Sequence, residues 1–313
     1  MSVVATGADL EAVRPSLIRK GRQKLAWKED APPSLIMAKG VVLTIVVLAV
    51  VLPFLSVLAT SFASDRDVIE SGGFVLIPRQ PTLQAYTTVL GNGVVARAFL
   101  VSLGITLVGS FVSLVMTTSM AYGLSRRPRE LRVVLYIVLF TMLFTPGIIP
   151  NYLIVKQLGL LNSYAALILP VMINAFNLVV MRQFFMEIPE ELIDSARIDG
   201  ASEYRILWSI VLPLSKPVIA VIGLFYAVAY WNSFFAALLY LNDSSHWPLQ
   251  MIVRMYVLQG SSLSAAGAGD SSTLLPQSLQ MAVVVCATIP IIIVYPFLQR
   301  YFTAGVLSGA IKG

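Results

Sequence analysis

The sequence predicts an all-α, polytopic membrane protein with six transmembrane helices. Of its 313 residues, 57% are hydrophobic and only 12% are charged, and the mean hydropathy is +0.82. A soluble domain carries about 25% charged residues, so a water-soluble fold of this size would lack the polar side chains to cover its surface. Six apolar segments of about 20 residues or more are each long enough to cross ~30 Å of hydrocarbon as a helix.

The six apolar segments are, in chain order, Val41–Phe62, Phe99–Leu124, Val133–Leu158, Ala165–Phe185, Pro217–Leu241 and Ser278–Phe302. Helices are expected because every backbone polar group must be paired within the protein when it lies in lipid. The third segment contains FTPGIIPNY, in which Pro146, Gly147 and Pro150 predict a kink or break. Two interpretations stay open for this break: a kink packed against neighbouring helices, or irregular backbone that lines a polar path.

The basic residues predict the orientation of these segments. Seven lie before the first segment, four in the loop after the second, four around the loop after the fourth and two at the C-terminal end, which places 17 of the 22 on one side. The positive-inside rule therefore predicts that both termini are cytoplasmic. Since the charge of +6 follows the topology, nucleic-acid binding is not expected. Residues 1–37 form a basic cytoplasmic tail suited to contact membrane lipid, and residues 38–313 form the six-span domain.

The residue inventory disfavours chemistry within the chain. A single cysteine, Cys286, excludes an intrachain disulfide, and with a single histidine, His246, it disfavours a metal site. The predicted spans contain no acid pair, histidine or Ser-His arrangement for an intramembrane enzyme. They also lack an evident mid-membrane ionisable group, and no internal repeat is visible, which disfavours a secondary transporter. No catalytic residue, metal or cofactor is predicted.

One charged stretch interrupts the apolar sequence on the predicted cytoplasmic side, DSARIDGASEYRILWSIVLPLSKP from Asp194 to Pro217. Pro189 and Glu190 suit the first turn of a helix, Gly200 suits a left-handed helix end, and Ser202 suits the N-cap of a second helix. These residues predict a helix-turn-helix at about 189–213. Its expected apolar faces are formed by Leu192, Ile193 and Ala196 in the first helix and by Ile206, Leu207, Ile210 and Val211 in the second.

The corner of this helix-turn-helix has little side-chain bulk, because Ala196, Gly200 and Ala201 lie there. Two interpretations follow from the residues alone. The element is either an amphipathic loop on the lipid headgroups or a surface that another protein approaches closely.

The stretch resembles the cytoplasmic coupling motif of ABC-importer permeases. That motif has Glu-Ala-Ala, three residues, Gly, about nine residues, and then Ile-x-Leu-Pro. Here Asp194-Ser195-Ala196 stands in the first position, Gly200 is the glycine, and residues 210–213 close the motif. The sequence departs from the pattern with Asp for Glu at Asp194 and Ser for Ala at Ser195.

The resemblance extends from about residue 38 to the end of the chain. NYLIVKQLGLLNS, AYWNSFFAALLYL, WPLQMIVR and GVLSGAIKG resemble the maltose-type, carbohydrate-importing branch, and more narrowly its subgroup for oligosaccharides derived from polysaccharides. The resemblance implies the type I importer permease fold in a bacterial inner membrane. It implies as partners a second homologous permease, two ATPase subunits that use ATP-Mg, and an extracytoplasmic sugar-binding protein. An importer of peptides, amino acids or another solute is the alternative.

The resemblance also implies which residues contact the ATPase: Glu190, Asp194, Ala196, Arg197, Gly200, Ala201, Ile210, Leu212 and Pro213. Asp194 has an alternative role, since it can pair with Arg197 at i+3 on the same helix.

Five further residues are candidates for the substrate pathway: Tyr230, Trp231 and Asn232 in the fifth segment, and Asn174 and Asn177 in the fourth. An amide in hydrocarbon needs a partner, which can be a neighbouring helix, water or a substrate. Aromatic faces beside amides suit sugars, because the rings stack on C–H faces while the amides bond hydroxyl groups. Helix packing is the alternative role for all five.

Overall fold

The computed structural model describes residues 32–91, 93–126, 130–259 and 277–310, and the side chains of all these residues except 258, 259 and 297–310. The described residues form helices and the turns that connect them, with no strand among them. The predicted all-α class is therefore confirmed.

The helices are, in chain order, α1 (Pro33–Ser61), α2 (Asp65–Glu70), α3 (Gln84–Gly91), α4 (Val94–Arg126), α5 (Arg132–Leu143), α6 (Ile148–Gln157), α7 (Ala165–Ile168), α8 (Ala175–Met186), α9 (Glu190–Ile198), α10 (Glu203–Ile206), α11 (Leu212–Leu214), α12 (Lys216–Trp231), α13 (Phe234–Tyr240), α14 (Leu249–Gln259) and α15 (Gln277–Ala310). Short 3₁₀ turns lie at Leu169–Val171 and Ser244–His246, and a wider π turn spans Leu207–Val211.

The chain divides into two compact units, residues 1–52 and 53–313. The described part of the first unit is the beginning of α1, an apolar helix whose side chains are exposed. Pro33 suits the first turn, where its missing N–H would have no partner in any case. A helix that is apolar on every side is typical of a segment surrounded by lipid.

Each of the six predicted segments coincides with helical structure, but three of them are divided. The helices long and apolar enough to cross a membrane without a break are Pro33–Ser61, Val94–Arg126 and Gln277–Pro296. The fourth segment bends by 52° between Ala165–Val171 and Ala175–Met186. Pro170 and the helix-capping Asn174 lie at this bend, and both favour a new helix start over continuation.

The third segment breaks where its prolines and glycine predict. Helix α5 ends at Leu143 and α6 begins at Ile148. Gly147 between them has a φ of 85°, a left-handed conformation that glycine adopts without steric cost. Pro150 falls in the first turn of α6, so the predicted break is confirmed.

The principal core of the second unit lies where α4 packs along α12 and α8. Tyr226 and Tyr230, one turn apart on α12, form 2.7 Å hydrogen bonds with Thr117 and Ser113, one turn apart on α4. Gly109 leaves room for the ring of Tyr230, since a Cβ atom there would lie 2.9 Å from two ring carbons. These contacts hold α4 and α12 in one register.

A second core joins the end of α12 to α14 and α15. The Trp231 indole is buried and its Nε1–H donates to the carbonyl of Ala287 at 3.2 Å. The backbone N–H of Leu249 donates to Ser102 Oγ at 2.7 Å, which attaches the start of α14 to α4.

Candidate coupling element and translocation cavity

Helices α9, α10 and α11, residues 190–214, form the predicted helix-turn-helix, and this segment is named the coupling element. Helix α9 places Ile193 in the core. Ile193 is 1% exposed and Ala196 is half-buried, whereas Leu192 is 45% exposed. The prediction that Leu192 shares the buried face is wrong. Neighbouring residues on a helix are separated by about 100°, so the helix directs Ile193 and its i+3 neighbour Ala196 inward and Leu192 outward.

Gly200 forms the corner in the predicted left-handed conformation, with a φ of 81°. The N–H of Gly200 donates to the carbonyl of Arg197 at 3.0 Å, and the N–H of Ala201 donates to that of Ala196 at 2.9 Å. This pair of bonds is the Schellman arrangement, which satisfies carbonyls at the end of α9. A Cβ atom at Gly200 would meet nothing within 4 Å, so the corner is open on its outer side.

The second helix begins at its predicted N-cap, because Ser202 Oγ accepts the N–H of Arg205 at 3.4 Å. Ile206 and Val211 are fully buried, and Leu207 and Ile210 pack against the same cluster, so the predicted apolar stripe is confirmed. The π turn ends just before Leu212 and Pro213. The axis then bends by 85° between Glu203–Leu214 and Lys216–Trp231, so the element leads directly into α12.

An ion-pair network joins the two helices of the element to α4. Arg197 Nη2 lies 2.9 Å from Glu203 Oε1, and Arg197 Nη1 lies 3.3 Å from Asp194 Oδ1, which confirms the i,i+3 pair. The hydrogen bonds to Glu203 raise the pKa of Arg197 above its usual range. The Tyr122 hydroxyl at the end of α4 donates to the other oxygen of Glu203 at 2.5 Å. Sequence reasoning missed the contact of Glu203 with Tyr122, because the two residues are 81 positions apart in the chain.

The outer side of the element carries large apolar side chains that sequence reasoning also missed. Ile198, Tyr204 and Trp208 are 86%, 80% and 70% exposed. The signal was present in the sequence, since none of the three belongs to the apolar faces predicted for the two helices. The predicted contact residues divide into two groups: Glu190, Asp194, Arg197, Gly200 and Pro213 are exposed, and Ala196, Ala201, Ile210 and Leu212 are half-buried.

A cavity of about 770 Å³ lies between α7–α8 and α12–α13, and three of the five predicted pathway residues line it: Asn174, Asn177 and Tyr230. Asn174 caps α8, because its Oδ1 accepts the N–H of Asn177 at 3.1 Å. The Tyr226 hydroxyl accepts the N–H of Asn174 at 3.0 Å, which fixes the start of α8 against α12. Most of the remaining lining is apolar.

Ser233 also lines this cavity and was not predicted. Its Oγ is buried and has no hydrogen-bond partner among the residues that the structure describes. Ser233 precedes α13 at the break in the fifth segment, so the sequence pattern of a continuous apolar span concealed it.

The other two predicted pathway residues lie elsewhere. Trp231 is packed in the second core, and Asn232 lines a separate groove beside α14. Asn232 ends α12: its Nδ2 donates to the carbonyl of Val228 at 2.9 Å, and its own carbonyl accepts the N–H of Phe234 at 2.7 Å. The fifth segment is therefore not one uninterrupted helix: α12 ends at its C-cap Asn232, whose amide side chain bonds the local backbone and competes with the helix ladder.

Apolar helices long enough to cross a membrane, with a charged helix-turn-helix between them, indicate a multi-span membrane protein, and comparisons with known proteins identify its class. The chain belongs to the family of binding-protein-dependent transport system inner membrane components, since the sequence model of this family matches residues 113–308. It is therefore a transmembrane subunit of an ABC importer.

Three similar proteins narrow this class. The polygalacturonan/rhamnogalacturonan transport system permease protein YtcP of Bacillus subtilis (strain 168) is 48% identical over 266 residues, covering 84% of this chain and 93% of YtcP. Protein LplC of the same organism is 48% identical, covering 84% of this chain and 90% of LplC. The crystal structure of a bacterial ABC transporter for import of the acidic polysaccharide alginate contains a chain that is 31% identical, with a TM-score of 0.79. The match covers 88% of this chain and all of that one.

Proposed function

We propose that this chain is one of two homologous membrane subunits of an ATP-driven importer whose cargo is an oligosaccharide. The 48% identity to YtcP over 84% of the chain carries the proposal, because YtcP is named for the transport of polygalacturonan and rhamnogalacturonan, which are both built from sugars. The alginate transporter, a second sugar importer, supports the same class of cargo.

The proposed assembly contains a second permease, two ATPase subunits and an extracytoplasmic sugar-binding protein, in a bacterial inner membrane with both termini of this chain cytoplasmic. The exposed Ile198, Tyr204 and Trp208 support an ATPase contact on the outer side of the coupling element. Aromatic side chains of this kind are over-represented among the residues that contribute most to protein–protein binding. ATP-Mg is bound by the partner ATPase.

The proposed coupling is a rigid-body transmission from the ATPase to the cavity. Two routes support it. Glu203 contacts Tyr122 at the end of α4, and the element continues through Ser215 into α12. Because α12 carries Tyr230 in the cavity wall and is held to α4 by two hydrogen bonds, a displacement of the element moves both helices together.

The cavity is proposed to form this subunit's half of the translocation pathway, with Asn174, Asn177 and Tyr230 contacting the cargo. The two amides and the tyrosine in this otherwise mostly apolar wall support an occupant with polar groups. Trp231 and Asn232 were expected to act beside Tyr230. In the proposal Trp231 supports the helix packing, and Asn232 acts at the separate groove.

Transport by the reconstituted complex tests the proposed function. The permease pair, the ATPases and the binding protein are purified and placed in proteoliposomes, and uptake of labelled oligosaccharides is measured against peptides and amino acids of similar size. We expect ATP-dependent uptake of an oligosaccharide that persists when an ionophore removes ion gradients. If the complex takes up a peptide or an amino acid but no oligosaccharide, the proposed class of cargo is wrong. If the ionophore abolishes uptake, the protein is a secondary transporter.

A further inference from the structure

A groove of about 480 Å³ lies beside the break between α12 and α13, against α14 and α15. It shares no lining residue with the cavity described above. Its wall combines a cation, Arg254, with two amides, Asn232 and Gln250, and an aromatic ring, Phe234, among three valines.

Arg254 is the central group of this groove. Its guanidinium carbon lies over the Phe234 ring, 4.4 Å from the ring centroid, which is a cation–π contact. The side chain is exposed, and within the described residues no carboxylate forms an ion pair with it. The guanidinium carries five N–H donors, so its contact with the ring leaves donors available for a bidentate bond to a carboxylate.

The two amides extend the polar surface. Gln250 precedes Arg254 by one turn on α14, so the two residues share a helix face. The Nδ2 of Asn232 donates a hydrogen bond to the carbonyl of Val228, so its Oδ1 is left to accept a hydrogen bond from a hydroxyl group. One cation and two amides match a sugar that carries one carboxylate and several hydroxyl groups.

We propose that this groove binds the carboxylate of a uronic-acid residue in the cargo, with Arg254 as the residue that selects for negative charge. The inference rests on the proposed function. It is supported by the acidic polysaccharide named for the alginate transporter and by the polygalacturonan named for YtcP. An apolar segment of another subunit is a poorer occupant, because covering Arg254 without an anion would leave its charge desolvated and unpaired.

A charge series at one position tests the proposal. Arg254→Lys, Arg254→Gln and Arg254→Glu are introduced into the full complex, and ATP-dependent uptake of trigalacturonate is measured per assembled complex at limiting cargo concentration. We expect uptake to fall in the order Arg, Lys, Gln, Glu, with about a tenfold loss for Arg254→Gln, since a good charge-assisted contact contributes about that factor. Arg66→Gln is the matched control, because Arg66 is an exposed arginine on α2 outside the groove and is paired with Glu70 at 3.3 Å. It should transport like the wild type.

The outcomes separate this inference from the proposed function. Equal uptake by Arg254→Gln and the wild type overturns the carboxylate contact. If all three variants yield less assembled complex but the complex that does assemble shows normal uptake, the groove is a subunit interface, and the carboxylate contact is again overturned. If the wild-type complex takes up a neutral oligosaccharide but not trigalacturonate, the inference of an acidic cargo is wrong, while the proposed oligosaccharide transport is still supported. A wild-type complex that takes up no oligosaccharide contradicts the proposed function itself.

Discussion

Gly200 combines a left-handed backbone conformation with a position on the surface proposed to contact the ATPase. Its φ of 81° favours glycine, and the space beyond its Cα is open within the chain. Any other residue there adopts a left-handed conformation that costs roughly 1–2 kcal/mol, least for asparagine. Substitutions at this position therefore differ mainly in bulk, and asparagine also has the smaller backbone strain.

We expect Gly200→Trp to weaken binding of the ATPase at least tenfold and to stop uptake, because the indole would occupy the surface that the ATPase approaches. Gly200→Asn should retain most of both, since asparagine tolerates the conformation and adds little volume. Binding of purified ATPase to each assembled variant is the measurement. Equal binding by the two variants would contradict a close contact at the corner. Asp194→Ala should have a smaller effect, because exposed ion pairs contribute only about 0–1 kcal/mol.

At the scale of helices, α4 and α12 pack closely where a glycine of α4 lies against the ring of a tyrosine of α12. Gly109 faces the ring of Tyr230, whereas Gly104 on the same helix faces open space. The same substitution at the two positions therefore separates helix packing from any general effect of replacing glycine in α4.

Gly109→Ala is expected to lower stability by about 1–3 kcal/mol, since the new methyl group forces the Tyr230 ring away and strains its bond to Ser113. Thermal unfolding of the detergent-purified subunit should shift down by several degrees. Gly104→Ala should unfold at the wild-type temperature or slightly above it, because no atom lies where its methyl group would be. A common melting temperature for both variants would show that the ring does not pack closely on α4.

For the whole molecule, the positive-inside rule predicts an orientation that labelling can test. Single cysteines replace Ser71, which is exposed beside α2, and Tyr204, which is exposed in the coupling element, in a Cys286→Ser background. We expect a membrane-impermeant thiol reagent to label position 71 in intact cells and position 204 only after permeabilisation. The reverse pattern would invert the topology. The connection between the fifth and sixth segments, residues 242–277, lies partly outside the described residues.

Local chemistry made the coupling element predictable. Pro189, Gly200 and Ser202 each act through their own backbone or through one a few residues away, so the turn and both helix starts could be predicted from the sequence. Leu192 shows the limit of this reasoning, because only the packing decides that Ile193 faces the core and that the adjacent Leu192 does not.

The sequence by itself determined the all-helical membrane class, the coupling element and the break in the third segment, because burial in lipid, turn chemistry and proline act over a few residues. Only the tertiary structure decided how the candidate residues are grouped. Tyr230, Trp231 and Asn232 are consecutive, yet they face a cavity, a core and a groove, since successive helix positions point in different directions and α12 ends among them. The contacts of Glu203 with Tyr122 and of Arg254 with Phe234 likewise depend on which helices are neighbours, and no short sequence pattern specifies that.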